Sequence, residues 1–193
     1  MSKDKILLIG GGGHCKSVID VIEQTGKFEI IGIIDLEEKV GDFILGYPII
    51  GTDDEIGSIK NIDAYHITLG KTGLSDKRAK LYNSLKNNEL KFPVIQSPQA
   101  YVSKYAKIGK GTIIMHHVIV NAGAIVGENC IINTKSLIEH DAIIGDHCHI
   151  ATGAIINGGV TVGEGSFIGT GVVSKQGSSV PAFTFVKANS IIK

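Results

Sequence analysis

The chain of 193 residues has no tryptophan, only four prolines and two methionines, and aromatic side chains make up just 6% of it. A bulky core built from rings is therefore excluded. Acidic and basic residues balance at 19 each, giving no net charge, and no run of Lys or Arg occurs. A basic surface of the kind that selects nucleic acid or an anionic membrane is absent, so neither partner is expected. No apolar run approaches the length of a membrane span. The one in the opening MSKDKILLIG is too short for a signal-peptide core and precedes no cleavage site, so a cytoplasmic location is expected. Cysteine is scarce and odd in number: Cys15, Cys130 and Cys148, without C-x-x-C spacing, exclude a disulfide framework. Glycine is abundant at 25 residues. With so few aromatics, that favours many tight turns and thin layers.

The strongest pattern is a repeat of six. From Val102, every sixth residue is aliphatic: Ile108, Ile114, Val120, Val126, Ile132, Ile138, Ile144, Ile150, Ile156, Val162 and Ile168. Four positions after each stands a small or β-branched residue, including Ala106, Thr112, Ala124, Cys130, Ser136, Ala142 and Cys148. Glycine often follows the aliphatic position, as at Gly109, Gly127, Gly145, Gly163 and Gly169. A strict six-residue period predicts a left-handed parallel β-helix, with three short strands per coil of about eighteen residues and the aliphatic side chain inside. A β-sandwich is the competing reading, but its strands keep no fixed six-residue register. Cys130 and Cys148 should stack in adjacent coils, as buried small residues rather than a redox or metal pair. The period falters at Ser174, recovers at Val180 and Val186, and the tail VPAFTFVKANSIIK reads as a capping coil.

The first part of the chain differs. KILLIGGGGHCKSVIDVIEQTGKFEIIGIID reads as a strand over Ile6–Ile9, a glycine-rich turn, a helix with Val18, Ile19, Val21 and Ile22 as its apolar stripe, and a strand from Phe28 to Ile34. This βαβ unit predicts a small Rossmann-like domain. AYHITLG adds a strand, DKRAKLYNSLKNNEL an amphipathic helix and KFPVIQSP a short strand and turn. The expected organisation is residues 1–97 as a nucleotide-binding domain and 98–193 as the β-helix.

Two motifs carry chemistry. Gly10, Gly11, Gly12, Gly13 and His14 join the first strand to the first helix, where main-chain N–H groups and the helix dipole suit a phosphate. Cys15 stands where a third fingerprint glycine would be, so a tight βα turn without a ligand is the plain alternative. Asp35 ends the second strand, where a carboxylate can bond ribose or merely cap the strand. The domain has room for a mononucleotide rather than NAD. The second motif is the histidine-rich IEHDAIIGDHCHIATG. Acyl transfer from a thioester needs a base, and His140 beside Asp141 suits that role. Adjacent residues on a strand point opposite ways, so only a turn would bring the two together. Solvated turn histidines are the alternative for His140, His147, His149 and the pair His116 and His117. Zinc binding among His116, His140, His147 and His149 lacks metal-site spacing, and no metal is expected.

Taken together, IGGGGHCKSVIDVI with Asp35, followed by the hexapeptide stretch with its Glu-His-Asp step, resembles the NeuD/PglD-type sugar acetyltransferases of bacterial surface-glycan synthesis. The resemblance spans nearly the whole chain. It implies that Gly10 to His14 lie near the phosphates of a nucleotide-sugar, UDP-linked by preference, and Asp35 near its base or ribose. It implies His140 as general base with Asp141 as acidic partner, and acetyl-CoA as co-substrate beside His149, Gly158, Gly159, Gly169 and Gly171. It further implies a homotrimer with acetyl-CoA in a groove between neighbouring β-helices. The chain departs from the family's pattern in three places. Asp141 replaces a Glu found in some relatives, Ser97-Pro98 stands where His-Pro is common, and FVKANSIIK lacks a Gly-x-Pro-Ala segment. Three activities stay open on the sequence: N-acetylation of a 4-amino-4,6-dideoxy sugar by direct transfer, with backbone N–H groups or His149 at the oxyanion; O-acetylation of a sialic-acid-type sugar; and a non-catalytic scaffold.

Overall fold

A computed structural model describes residues 3–86 and 90–193. The chain divides into two compact units, Met1–Gly70 with Leu81–Pro93, and Lys71–Lys80 with Val94–Lys193. The division is thus not a single cut near Ser97: residues 71–80 go with the β-helix.

In the first unit, β1 (Asp4–Ile9), α1 (Gly13–Thr25) and β2 (Phe28–Ile34) form the βαβ unit that the glycine turn and the apolar stripe predict. A hairpin follows, β3 (Phe43–Ile44) and β4 (Tyr47–Gly51), and then β5 (Ala64–Ile67). The sheet order is β3-β4-β2-β1-β5, parallel except for the hairpin. The apolar run of β1 is continuous because both faces are covered. Leu7 and Ile9 join Ile34, Tyr65, Tyr82 and Phe92 on one side, and Ile6 and Leu8 point to the other. The helix α2 occupies Lys77–Lys86. The remainder of its predicted extent includes Asn87, Asn88 and Glu89, which lie outside the described residues.

The second unit is the left-handed β-helix. Seventeen two-residue strands, from Ile95–Gln96 to Ile191–Ile192, build three parallel sheets, the faces of a prism: the first contains Tyr101–Val102, the second Lys107–Ile108 and the third Ile95–Gln96. Register between coils is eighteen residues, as in Ile119↔Leu137, Ile143↔Thr161 and Ile131↔His149. The six-residue aliphatic position is the inward one: Ile114, Val120, Ile132, Ile138, Ile150 and Ile156 are wholly buried. Ser174 breaks the pattern without leaving a buried hydroxyl idle, because its Oγ accepts the N–H of Asn157 at 2.8 Å. Cys130 and Cys148 are buried, and their thiols donate to the Gly145 and Gly163 carbonyls, each at 3.1 Å. Burial pushes both thiols up, Cys148 to about 11, as befits packing residues rather than nucleophiles.

From residue 111 to 189, each corner between strands turns through one left-handed residue, six apart along the chain. Gly111, His117, Gly123, Asn129, Lys135, Asp141, His147 and Gly153 all have φ between +53° and +77°. Glycine, Asn, Asp and His tolerate this region best, which explains much of what the sequence places there.

Candidate active site

Position 141 is one of these corners, with φ +60° at Asp141. The left-handed residue breaks the up-down alternation of a strand, so two sequence neighbours can meet. His140 Nδ1 lies 2.9 Å from Asp141 Oδ2. Both side chains are well exposed, at 57% and 73%. The hydrogen bond to Asp141 raises the His140 pKa, desolvation opposes it, and the charges of Asp141 and Glu139 add to the rise. With Nδ1–H donated to the carboxylate, Nε2 keeps a free lone pair and is the nitrogen that can take a proton.

The coils above and below leave this pair room. A Cβ on Gly158, one coil on, would sit 2.6 Å from His140 Nε2, and a Cβ on Gly123, one coil back, would strike the Asp141 carboxylate. Glu139 completes the corner, its Oε2 accepting from Asn121 Nδ2 (2.8 Å) and from the His140 N–H (3.3 Å). Gly123 and Asn121 are not among the residues the sequence singles out, and Glu139 enters there only as part of the Glu-His-Asp step. The eighteen-residue coil, applied to His140 and Asp141, would have found Gly123.

The other expected acetyl-CoA residues lie elsewhere on the prism. Gly159 shares the His140 corner. Gly169 and Gly171 belong to the corner between the third and first faces, packed under Ala188 and Asn189. His149 lies on the third face with only 9% of its surface exposed. Its Nδ1 is 2.7 Å from the Lys71 carbonyl, its Nε2 is 3.2 Å from Asn133 Nδ2, and its edge meets the Phe167 ring at 5.0 Å. Burial pushes its pKa down to about 4. One chain therefore does not bring His140 and His149 together.

The remaining histidines are dispersed. His116 Nδ1 meets Ser97 Oγ at 2.7 Å, and His147 Nδ1 meets Asn129 Nδ2 at 3.0 Å, with burial lowering the His147 pKa. Among the described residues no group of three or more His, Cys, Asp or Glu could hold a metal ion. No helix among them is long and apolar enough to cross a membrane.

In the first unit, the glycine turn has the shape expected of an anion cradle. Gly10 has φ +107°, and a side chain on it would collide with Leu69. Gly11 donates its N–H to Asp35 Oδ2 at 2.9 Å, and a Cβ there would press on that oxygen and on Ile44. Gly12 caps α1 without a side-chain bond, no acidic residue follows in the first turn, and the space beside Gly12 and Gly13 is open. An α1 N-terminus so bare of side chains suits a phosphate. His14 lies alongside, with Gly70 close to its Cβ. Asp35 is not free for a ligand alone. Burial would raise its pKa, but the Leu36 N–H, Lys39 at 3.1 Å and the Gly11 N–H together hold it below the usual range. Lys39 ends the short 3₁₀ helix Glu37–Lys39 and has no sequence signal.

The chain is similar to several known proteins. A family model described as the PglD N-terminal domain matches residues 5–85. A variant of perosamine N-acetyltransferase from Caulobacter crescentus, solved with CoA and GDP-perosamine, has a TM-score of 0.92 at 28% identity, over 100% of this chain and 90% of that one. The acetyltransferase domain of PglB from Neisseria gonorrhoeae, in complex with acetyl coenzyme A, gives 0.89 at 28% identity, over 99% and 93%. WeeI from Acinetobacter baumannii shares the fold at 22% identity, with a TM-score of 0.74. An uncharacterized protein of Acanthamoeba polyphaga mimivirus is 34% identical over 112 residues, 58% of this chain, which spans only 21% of that curated relative. Residues 5–85 thus match the PglD N-terminal domain, and the whole chain is built like the sugar N-acetyltransferases of the NeuD/PglD type.

Proposed function

We propose that this chain is an acetyl-CoA-dependent N-acetyltransferase acting on the amino group of a nucleotide-linked 4-amino-4,6-dideoxy sugar in bacterial surface-glycan synthesis. The observation that carries the reading is the His140–Asp141 pair at a left-handed corner, with Nε2 open above Gly158. The likeness to acetyltransferases bound to CoA, acetyl-CoA and GDP-perosamine supports it.

In the reaction, His140 Nε2 takes a proton as the sugar amine attacks the thioester carbonyl. The N–C bond forms, the C–S bond breaks, and CoA leaves as a thiolate that regains a proton. Asp141 steadies the imidazolium. Main-chain N–H groups supply the oxyanion donors, since within one chain His149 is packed on a face away from His140. The turn of Gly10, Gly11, Gly12, Gly13 and His14 takes the sugar nucleotide's phosphates, with Asp35 near the ribose or base. The first unit serves the nucleotide-sugar, and the β-helix together with residues 71–80 the acyl transfer. UDP is the nucleotide the resemblance favours, and the Caulobacter enzyme was solved with a GDP-sugar.

The acetyl-CoA groove, with His149, Gly158, Gly159, Gly169 and Gly171, is assigned to the space between copies in a trimer. Two features support it. The faces flanking the His140 corner carry exposed aliphatic ladders, Ile119 and Val173 on one and Ile125 and Ile143 on the other. A base as exposed as His140 also needs something to exclude water.

The test is thiol release from acetyl-CoA with UDP- and GDP-linked 4-amino-4,6-dideoxy sugars and free sialic acid. Release with an amino sugar, lowered by roughly 10²–10⁴ in His140→Ala, is expected. Release with sialic acid alone would move the protein to O-acetylation, and silence with no CoA binding would favour a scaffold.

A further inference from the structure

Residues 71–80 cross the third face of the β-helix, and Lys71 is almost lost from solvent, at 6% exposure. Its ammonium donates to the main-chain oxygens of His147, at 2.9 Å, and Gly165, which occupy one corner in successive coils. The carbonyl of the same residue reaches His149 Nδ1 at 2.7 Å. The side chain and the main chain of Lys71 thus grip the corner and the ring together. Burial lowers the Lys71 pKa, so the charge is held there at a cost. A methionine would fill the space without that cost, but would leave the carbonyl unanchored.

The neighbours of His149 fix its proton. The Thr134 N–H donates to Asn133 Oδ1 at 2.8 Å, which turns the amide nitrogen of Asn133 toward His149 Nε2. An amide nitrogen only donates, so Nε2 carries no proton. A carbonyl oxygen only accepts, so Nδ1 carries it. Burial, Arg78 and Lys71 all keep the ring neutral, and the Phe167 edge sets its plane.

We propose that Lys71 is a positioning residue of the acetyl-transfer site, locking His149 as its Nδ1–H tautomer so that Nε2 meets acetyl-CoA as an acceptor for one amide N–H of the pantetheine arm. Nε2 shares its lone pair there with the Asn133 amide. The inference rests on the reading above that His149 borders acetyl-CoA.

The first measurement uses the unaltered protein, with ¹⁵N-labelled histidine followed by NMR. His149 should show Nδ1 protonated and Nε2 bare, without titrating down to about pH 5. A proton on Nε2 would overturn the proposal with no variant needed. In Lys71→Met, checked for folding by its melting curve, the ring should become a mixture of tautomers. The KM for acetyl-CoA should rise about five-fold, the loss of one neutral hydrogen bond, with kcat and the KM for the nucleotide-sugar unchanged. An unchanged ring or an unchanged KM would each sink the idea. If Lys71→Met fails to fold, Lys71→Gln, which keeps an amide donor group without the charge, should move both readouts the same way but less. Absence of acetyl transfer in the unaltered protein would overturn the parent reading, and the tautomer would then decide alone whether Lys71 positions His149.

Discussion

At position 141 the backbone requires φ near +60° and the chemistry asks for a carboxylate, and aspartate meets both. Asparagine tolerates the same backbone, and its Oδ1 still accepts from Nδ1, so Asp141→Asn removes the charge while keeping the turn. Asp141 raises the His140 pKa, and the working base is the neutral ring. The rising limb of the rate should therefore lie above the ordinary histidine value in the parent and move to lower pH in Asp141→Asn. A weaker base should also lower the plateau roughly ten-fold. A pH–rate profile for each protein checks both, and an unmoved limb would remove Asp141 from the mechanism. Gly158 offers a second test at this scale. A methyl there would lie 2.6 Å from Nε2, and its backbone is not left-handed, so Gly158→Ala should fold normally. The displaced ring should cost about ten-fold or more in kcat with little change in melting temperature. The sequence supplied His140 and Asp141 as candidates but not their meeting, because strand alternation argues against it and only the corner geometry reverses that.

Within the β-helix, the glycine that follows the aliphatic position has a structural cause. A Cβ on Gly145 would lie 2.6 Å from the backbone nitrogen of Glu164, and Gly109, Gly127 and Gly163 face the next coil in the same way. Coils approach too closely along this corner for any side chain. Gly145→Ala must push two coils apart in the middle of the stack, where each coil is stabilised by its neighbours. It should destabilise by about 1–3 kcal/mol, read as a lower urea midpoint, with the sheet signal in circular dichroism retained. An unchanged midpoint would mean the coils slide freely along this corner. The period of six made these elements legible in the sequence because one residue type is demanded at one geometric position many times over. The segment 71–80 was not legible, since it docks on a face by single contacts from Lys71 and Arg78 that repeat nowhere. The β3–β4 hairpin was missed for a related reason. Its turn places Leu45 at φ +49° before Gly46, where Asn-Gly or Asp-Gly would have announced it.

For the whole molecule, one chain leaves the proposed chemistry incomplete. His140 stands in solvent at one corner, His149 is packed on the third face, and the ladders beside His140 expose Ile119, Ile125, Ile143 and Val173. Aliphatic residues that point outward in register, as Ile119, Leu137, Ile155 and Val173 do on one face, are what an interface between copies buries, and scattered surface apolar residues would not keep such a register. Closed cyclic packing of three copies would cover both ladders and set the base of one chain against another chain's face. Ile143→Asp puts a charge at the centre of one ladder while leaving the inward Ile144 untouched. In light scattering the parent should run at three chain masses and the variant at one. Its kcat/KM for acetyl-CoA should fall about a hundred-fold, since the groove is lost along with the shielding of the base. Binding of the nucleotide-sugar, assigned to the glycine turn of the first unit, should persist by calorimetry. A variant that remains trimeric would place the interface elsewhere on the prism. A monomer with full turnover would show that one chain holds the whole acetyl-transfer site, and His149 would then have to be dropped from it.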